Sequence, residues 1–329
     1  MAANWCWLLI LVSSLACGQK PIAFQTLAKF PAVSGAAIGY VNDDKSIFLR
    51  DWENYYHYSF ATDQWNKLGF GKKLNRLTIL TPRSLYVGNS GNPGDQRIMN
   101  IAQIVKRIPL SYLPSYGKVL LVSDQIELLD IESLDVSYQE IEGGWPFGAG
   151  TVVLQEKIYM FGIDTSFETQ KKDAESSNRL IAFDPATLSF QELAPSKGPS
   201  IEQGLLVNEQ LYVFRTDSAF EAFTEILRYN QQQNAWEALG KLELTISTIA
   251  IASSEELIFF LGVRDIKGFL GVYNTTTKQY TEYTTNVKWS RGLACVRNNK
   301  LYYFGGIHVD FPRWVSRNMY VLDLDILTK

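Results

Sequence analysis

One short phrase punctuates the chain: an aromatic residue, two mostly polar ones, then an apolar or aromatic one. It occurs as Phe24-Gln-Thr-Leu27, Trp65-Asn-Lys-Leu68, Tyr138-Gln-Glu-Ile141, Phe190-Gln-Glu-Leu193, Trp236-Glu-Ala-Leu239 and Tyr280-Thr-Glu-Tyr283. A phrase that returns along the chain constrains the fold strongly, because each copy marks a unit that cannot bury its apolar face alone and must stack on its neighbours. Such a repeat describes packing and says little about chemistry.

Ahead of the phrase lies a turn of constant spacing. Tyr58/Trp65, Phe183/Phe190, Tyr229/Trp236 and Tyr273/Tyr280 each bracket six residues that begin with Ser, Asp or Asn. Short polar side chains of this kind bond to nearby backbone and favour turns, so each segment reads as the loop of a β-hairpin. Further upstream runs a strand rich in β-branched and aromatic residues: Ser46–Leu49, Leu85–Val87, Val119–Val122, Ile158–Phe161, Leu211–Phe214, Ile258–Leu261 and Leu301–Phe304. Before these come polar turns and then small, apolar runs such as Gly35–Gly39, Gly150–Leu154, Gly204–Val207 and Gly292–Val296.

Each unit is therefore expected to be a four-stranded antiparallel meander, and its period of roughly 35 to 55 residues suits a propeller blade. The final unit ends at its third strand, Met319–Asp323, while Phe24–Leu27 carries the phrase with no unit before it. Pairing the N-terminal strand with the last blade would close the ring and remove exposed edges. The expected fold is all-β: a seven-bladed β-propeller over residues 21–329, with six blades as the alternative because the aromatic phrase is absent from Arg97 to Leu110.

The residues resemble the kelch-repeat propellers over nearly the whole chain after Phe24. Tyr303-Phe-Gly-Gly306 matches the glycine pair that closes the second strand, and Tyr58/Trp65 and Tyr229/Trp236 match the spaced aromatics. Elsewhere the glycine pair is eroded: Gly162 and Gly262 stand alone, and Arg50 and Arg215 occupy the corresponding positions. The resemblance implies either a protein-binding platform or one of a few enzymes. Copper-radical oxidases of this kind need two His ligands and a Cys joined to a Tyr, a poor match to a chain whose histidines are His57 and His308. The sialic-acid epimerases use Arg, Glu and His at the channel mouth, residue types that are present here without an assignable motif.

At the N-terminus, Trp5 to Leu15 is an apolar run too short to span a bilayer, followed by Ala16-Cys17-Gly18-Gln19. Residues 1–18 are expected to be a signal peptide. Ser14–Gly18 also resembles a bacterial lipoprotein box, in which Cys17 is lipidated; ordinary cleavage near Ala16 or Gly18 is the alternative. Secretion, with or without a lipid anchor, is the expected localisation. After Cys6 and Cys17 only Cys295 remains, in an apolar strand, so no disulfide framework is expected.

The net charge of −3, from 31 basic and 34 acidic residues without blocks, gives no stripe for a nucleic-acid backbone. No Cys or His spacing suits zinc, Asp323-Leu-Asp325 lacks a calcium loop, and Gly88-Asn-Ser-Gly91 lacks a P-loop lysine. No metal or cofactor is expected. Candidate ligand residues gather where second strands end, at Arg50, Arg215, Arg264 and His308, since converging arginines hold carboxylates through forked hydrogen bonds. Trp145, Trp289 and Trp314 are candidate anchors in long loops. The expectation is a monomeric, noncatalytic module that binds a protein or carbohydrate; the alternative is an enzyme acting on an acidic sugar through those arginines and His308.

Overall fold

A computed structural model describes residues 21–30, 39–42, 46–50, 54–70, 110–113, 118–122, 125–130, 136–140, 150–155, 157–163, 178–184, 187, 189–198, 201–216, 223–246, 249–290, 292–308 and 316–327. These form antiparallel sheets and one 3-10 turn, Leu324–Leu327. Strand β1 (Gln25–Leu27) precedes the first sheet, which comprises β2 (Gly39–Asn42), β3 (Ser46–Arg50), β4 (Asn54–Ser59) and β5 (Gln64–Phe70). The second holds β6 (Leu110–Leu113), β7 (Lys118–Val122), β8 (Gln125–Asp130) and β9 (Val136–Glu140). The third holds β10 (Gly150–Leu154), β11 (Lys157–Ile163), β12 (Asn178–Asp184) and β13 (Ser189–Ser196).

The fourth sheet holds β14 (Ile201–Val207), β15 (Gln210–Thr216), β16 (Thr224–Asn230) and β17 (Ala235–Leu242). In the fifth are β18 (Ala250–Ser254), β19 (Leu257–Arg264), β20 (Lys267–Asn274) and β21 (Tyr280–Thr285). After β22 (Trp289–Ser290), the sixth sheet takes β23 (Leu293–Arg297), β24 (Lys300–Phe304) and, beyond β25 (Ile307–His308), β26 (Met319–Asp323). Its order is β1-β26-β24-β23, so the N-terminal strand lies at its outer edge with Gln25 opposite Val321 and Leu27 opposite Met319.

The first strands of successive sheets run side by side from β2 through β6, β10, β14 and β18 to β23, an arrangement of radiating sheets that makes this a β-propeller. Every copy of the aromatic phrase falls at or beside a fourth, outermost strand. The expected seventh unit, around Leu85–Val87, lies outside the described residues, as do Gly35–Ala37 of the first small-residue run; the strand there is Gly39–Asn42.

The apolar second strands owe their composition to burial on both faces. In β15, Leu211 and Val213 pack toward the third sheet with Phe161 and Leu180, whereas Tyr212 and Phe214 pack toward the fifth with Ile258 and Phe260. The period-two alternation of a strand thus feeds two separate cores. β19 and β24 repeat the pattern: Leu301 and Tyr303 join the core with the fifth sheet, and Tyr302 and Phe304 join Tyr56 and Tyr58 of the first.

The constant turn has a second duty. In the fourth sheet the Tyr229 hydroxyl donates to Asn234 Oδ1 at 2.6 Å, and that oxygen also accepts the Ala194 N–H of the preceding sheet at 2.8 Å. Trp236 Nε1 donates to the Ala194 carbonyl at 2.8 Å. The first sheet has the same device: Tyr58 donates to Asp63 Oδ1 at 2.7 Å, and Ala28 N–H donates to the same atom at 3.3 Å. Asn234 and Asp63 adopt φ of 47° and 51°, a left-handed conformation these short polar side chains tolerate. Ala28 follows Leu27 as Ala194 follows Leu193, so the N-terminal phrase meets the first sheet as β13 meets the fourth.

Candidate functional site

The end of the propeller where second strands finish and third strands begin, here called the upper face, carries Arg50, Arg215 and Arg264 at or next to the ends of β3, β15 and β19. Arg215 is the penultimate residue of β15, its side chain nearly buried at 10% exposure, where an unpaired cation would be costly. Its guanidinium meets Glu225 Oε2 through Nε at 2.8 Å and Nη2 at 2.7 Å, and Nη1 donates to Ser196 Oγ at 3.1 Å. Nη1 also donates to the Lys197 carbonyl. Glu225 stands directly opposite Arg215 in the β15–β16 register, while Ser196 and Lys197 belong to the exit of the third sheet. The arginine is a tie between two sheets.

Arg264 ends β19 and likewise bonds to an acid of its own sheet and a carbonyl of the sheet before. Its guanidinium lies 3.0 Å from Glu282 Oε2, Nη2 donates to the Glu243 carbonyl at 2.5 Å, and Cζ sits 5.3 Å from the Phe269 ring centroid. Lys197 and Glu243 each come seven residues after the phrase aromatic, Phe190 and Trp236. Two arginines from different positions along their strands therefore reach the corresponding carbonyl of the sheet before.

The loop after Arg264, between β19 and β20, is short. It is a two-residue turn, Asp265-Ile266, with φ of 49° and 66° and Arg264 paired to Lys267. Both residues occupy the left-handed region that such tight hairpins require.

Trp289 and His308, chosen for separate reasons, are cross-strand partners: β22 pairs with β25, Trp289 opposite His308 and Ser290 opposite Ile307. Trp289 is half-buried and Nε1 donates to the Tyr320 hydroxyl at 2.9 Å. Beneath it the fully buried Tyr303 donates to the Trp289 carbonyl at 2.8 Å and accepts the Gly292 N–H at 3.2 Å. Gly306, at φ 92°, completes this corner; a Cβ there would stand 2.7 Å from the Ser290 carbonyl oxygen. The glycine pair thus lets the chain turn over Tyr303 toward β25.

Arg50 closes β3, opposite Gly39 and Tyr55, and His57 lies on β4 opposite Phe48 and Asn66. Trp145, Trp314 and Cys17 lie outside the described residues. Among the described residues no group of three or more His, Cys, Asp or Glu is arranged to hold a metal ion, and no helix is long and apolar enough to cross a membrane. What sequence reasoning missed were the acids. Glu225 stands ten residues beyond Arg215, and only the hairpin register places it opposite that arginine; Glu282, eighteen beyond Arg264, reaches it from β21 through side-chain contact.

Cys295 is buried between the sixth and first sheets, and desolvation pushes its thiol up to about 12. A thiol that stays neutral is a poor nucleophile. At pH 8, with Cys6 and Cys17 replaced by serine, the folded protein is expected to leave a chromogenic disulfide reagent unreacted until denaturant is added; rapid labelling of the native protein would contradict this burial.

No protein-family model matches the sequence, and no curated protein matches it. Similar solved structures include YjhT, 15% identical with a TM-score of 0.46 over 61% of this chain and 72% of that chain. Another is TolB from Acinetobacter baumannii, 12% identical with a TM-score of 0.47 over 75% of this chain and 53% of that one. Likeness at this level carries no information on activity, and the propeller assignment rests on the sheet topology.

Proposed function

We propose that this chain is a noncatalytic binding module, exported and either secreted or held by a lipid on Cys17, that offers the loops of its upper face to a protein or carbohydrate ligand. The ring has six kelch-type blades, is closed by the N-terminal strand and acts as a monomer. Six is favoured over seven because β2 of the first sheet lies beside β6 of the second. Closure is supported by the pairing of β1 with β26 and by the packing of Tyr302 and Phe304 on Tyr56 and Tyr58.

The observation that carries the binding reading is the engagement of the arginines. An enzyme acting on an acidic sugar would need Arg215 and Arg264 directed at a substrate carboxylate, yet both guanidiniums bond to acids and carbonyls of the blades themselves. Binding then falls to loop aromatics, whose flat faces suit sugars and protein hot spots. Alanine at Trp145 or Trp314 is expected to weaken capture on a glycan array or in a pull-down from an extracellular extract by tenfold or more, on the order of 1.4 kcal/mol or above, with the unfolding midpoint unchanged. Trp289 is a poorer probe because its indole also supports Tyr320. Retention of full binding by both variants would remove these loops from the site.

A further inference from the structure

Ile266 stands in a conformation unsuited to it. It is the second residue of the turn between β19 and β20, at φ 66°, where tight hairpins favour glycine and a β-branched side chain is an outlier. Its side chain is 61% exposed, so packing within the blade does not compensate. Phe223, just before β16, is also exposed at the upper face, at 45%. Residues beside these two grip one segment from neighbouring sheets. Thr224 Oγ1 donates to the Leu244 carbonyl at 2.6 Å, and Arg264 Nη2 donates to the Glu243 carbonyl from the other side.

Charge distinguishes this end of the propeller from the other. Among the described residues, Lys29, Lys197, Lys241, Lys267, Lys288 and Arg317 are exposed at or just beyond upper strand ends, interleaved with the exposed acids Glu243 and Asp265. Asp217 and Glu221, in the loop before Phe223, lie outside the described residues. The described turns at the opposite end reverse the sign: Asp63, Glu209, Glu255 and Asp325 are exposed there, against exposed Lys278.

On the reading that the upper face is the binding face, we infer that its occupant is a protein whose acidic surface carries an apolar patch, and that Ile266 and Phe223 are the anchors that patch covers. Apolar residues within a charged rim are the anatomy of a protein interface. The branched aliphatic tip of Ile266 offers a sugar ring no flat face to stack on. Acids interleaved with lysines suit a partner of patterned charge better than a uniformly anionic lipid surface. The opposite face repels an acidic partner, which directs its approach to this one.

For the test, the purified full chain is panned against a random peptide library displayed on phage, and selected peptides are measured by fluorescence polarisation. Peptides of net negative charge with several apolar residues are expected, and Ile266→Asn or Lys267→Glu should weaken their binding about tenfold or more. Ile266→Asn should at the same time raise the urea midpoint, because asparagine tolerates the left-handed conformation. A lowered midpoint would mean that the isoleucine serves the fold and would overturn its role as an anchor. Lys278→Glu, on the opposite face, should leave binding unchanged. Selection of neutral or basic peptides, or full binding by both Ile266→Asn and Lys267→Glu, overturns this partner; if Trp145→Ala then still abolishes binding, the upper face stands as the binding face. Binding lost with Lys278→Glu and kept with Lys267→Glu overturns the partner and the face together. If no peptide is selected and Ile266→Asn and Lys267→Glu instead release the protein from phosphatidylcholine vesicles containing phosphatidylglycerol, the occupant is a lipid surface and the protein partner is overturned.

Discussion

Replacing Phe30 by alanine is expected to lower the free energy of unfolding by about 3–5 kcal/mol, the usual loss when a buried phenylalanine is truncated. Phe30 is 3% exposed and its ring lies 5.0 Å from both Tyr56 and Trp65 in edge-to-face contact. Deletion of residues 21–30 should cost more, because it removes Ile22 and Phe24 from the core between the fifth and sixth sheets and takes β1 off β26. The newly exposed edge of β26 would then invite intermolecular pairing. Urea unfolding followed by tryptophan fluorescence should show the loss as a lower midpoint at constant slope for Phe30→Ala. Size-exclusion chromatography should show higher oligomers for the deletion. A deletion variant that stays monomeric with an unchanged midpoint would mean that the ring does not depend on its N-terminal strand.

That prediction was partly legible in the sequence, and the reason is physical. The aromatic phrase recurs because every outer strand meets the same neighbours, so a lone copy at Phe24 implied a strand whose blade lies elsewhere. The run Leu211-Tyr-Val-Phe214 was readable as a buried strand for a similar reason: both faces are covered, so nothing interrupts its apolar character. The bonds of Asn234 and Asp63 were less legible. The sequence displays a turn-forming residue at each position, but not that its side-chain oxygen serves a tyrosine of its own sheet and a backbone amide of the sheet before. The arginines were misleading for the opposite reason. Arg215 stands where a glycine is expected, which drew attention to it as a ligand residue, whereas its significance lies in partners distant in sequence, Glu225 across the hairpin and Lys197 in the previous blade. Likewise the juxtaposition of Trp289 and His308 depends on β22 and β25, two strands of two residues each, too short to leave a periodic signal.

Arg215→Met is expected to destabilise the protein by about 3–5 kcal/mol, since it strands the carboxylate of Glu225 in a nearly buried position without a counter-charge. The side chain of Glu225 is 16% exposed, too little for water to replace the guanidinium. Arg215→Lys keeps the charge but loses the fork that grips Glu225 while reaching Ser196 and Lys197, so it should fall between the wild type and Arg215→Met. The double variant Arg215→Met with Glu225→Leu should recover most of the loss, because exchanging both members of a buried ion pair for apolar groups is often neutral or stabilising. Urea unfolding of the four proteins, together with calorimetric titration of a carboxylated sugar, separates a tie from a ligand site. An arginine that existed to bind an anion would leave the unfolding midpoint where it is when replaced and would abolish the heat of binding. An arginine that joins two blades does the reverse, and the double variant, stable again without either charge, would show that the cation at this position serves the assembly of the ring.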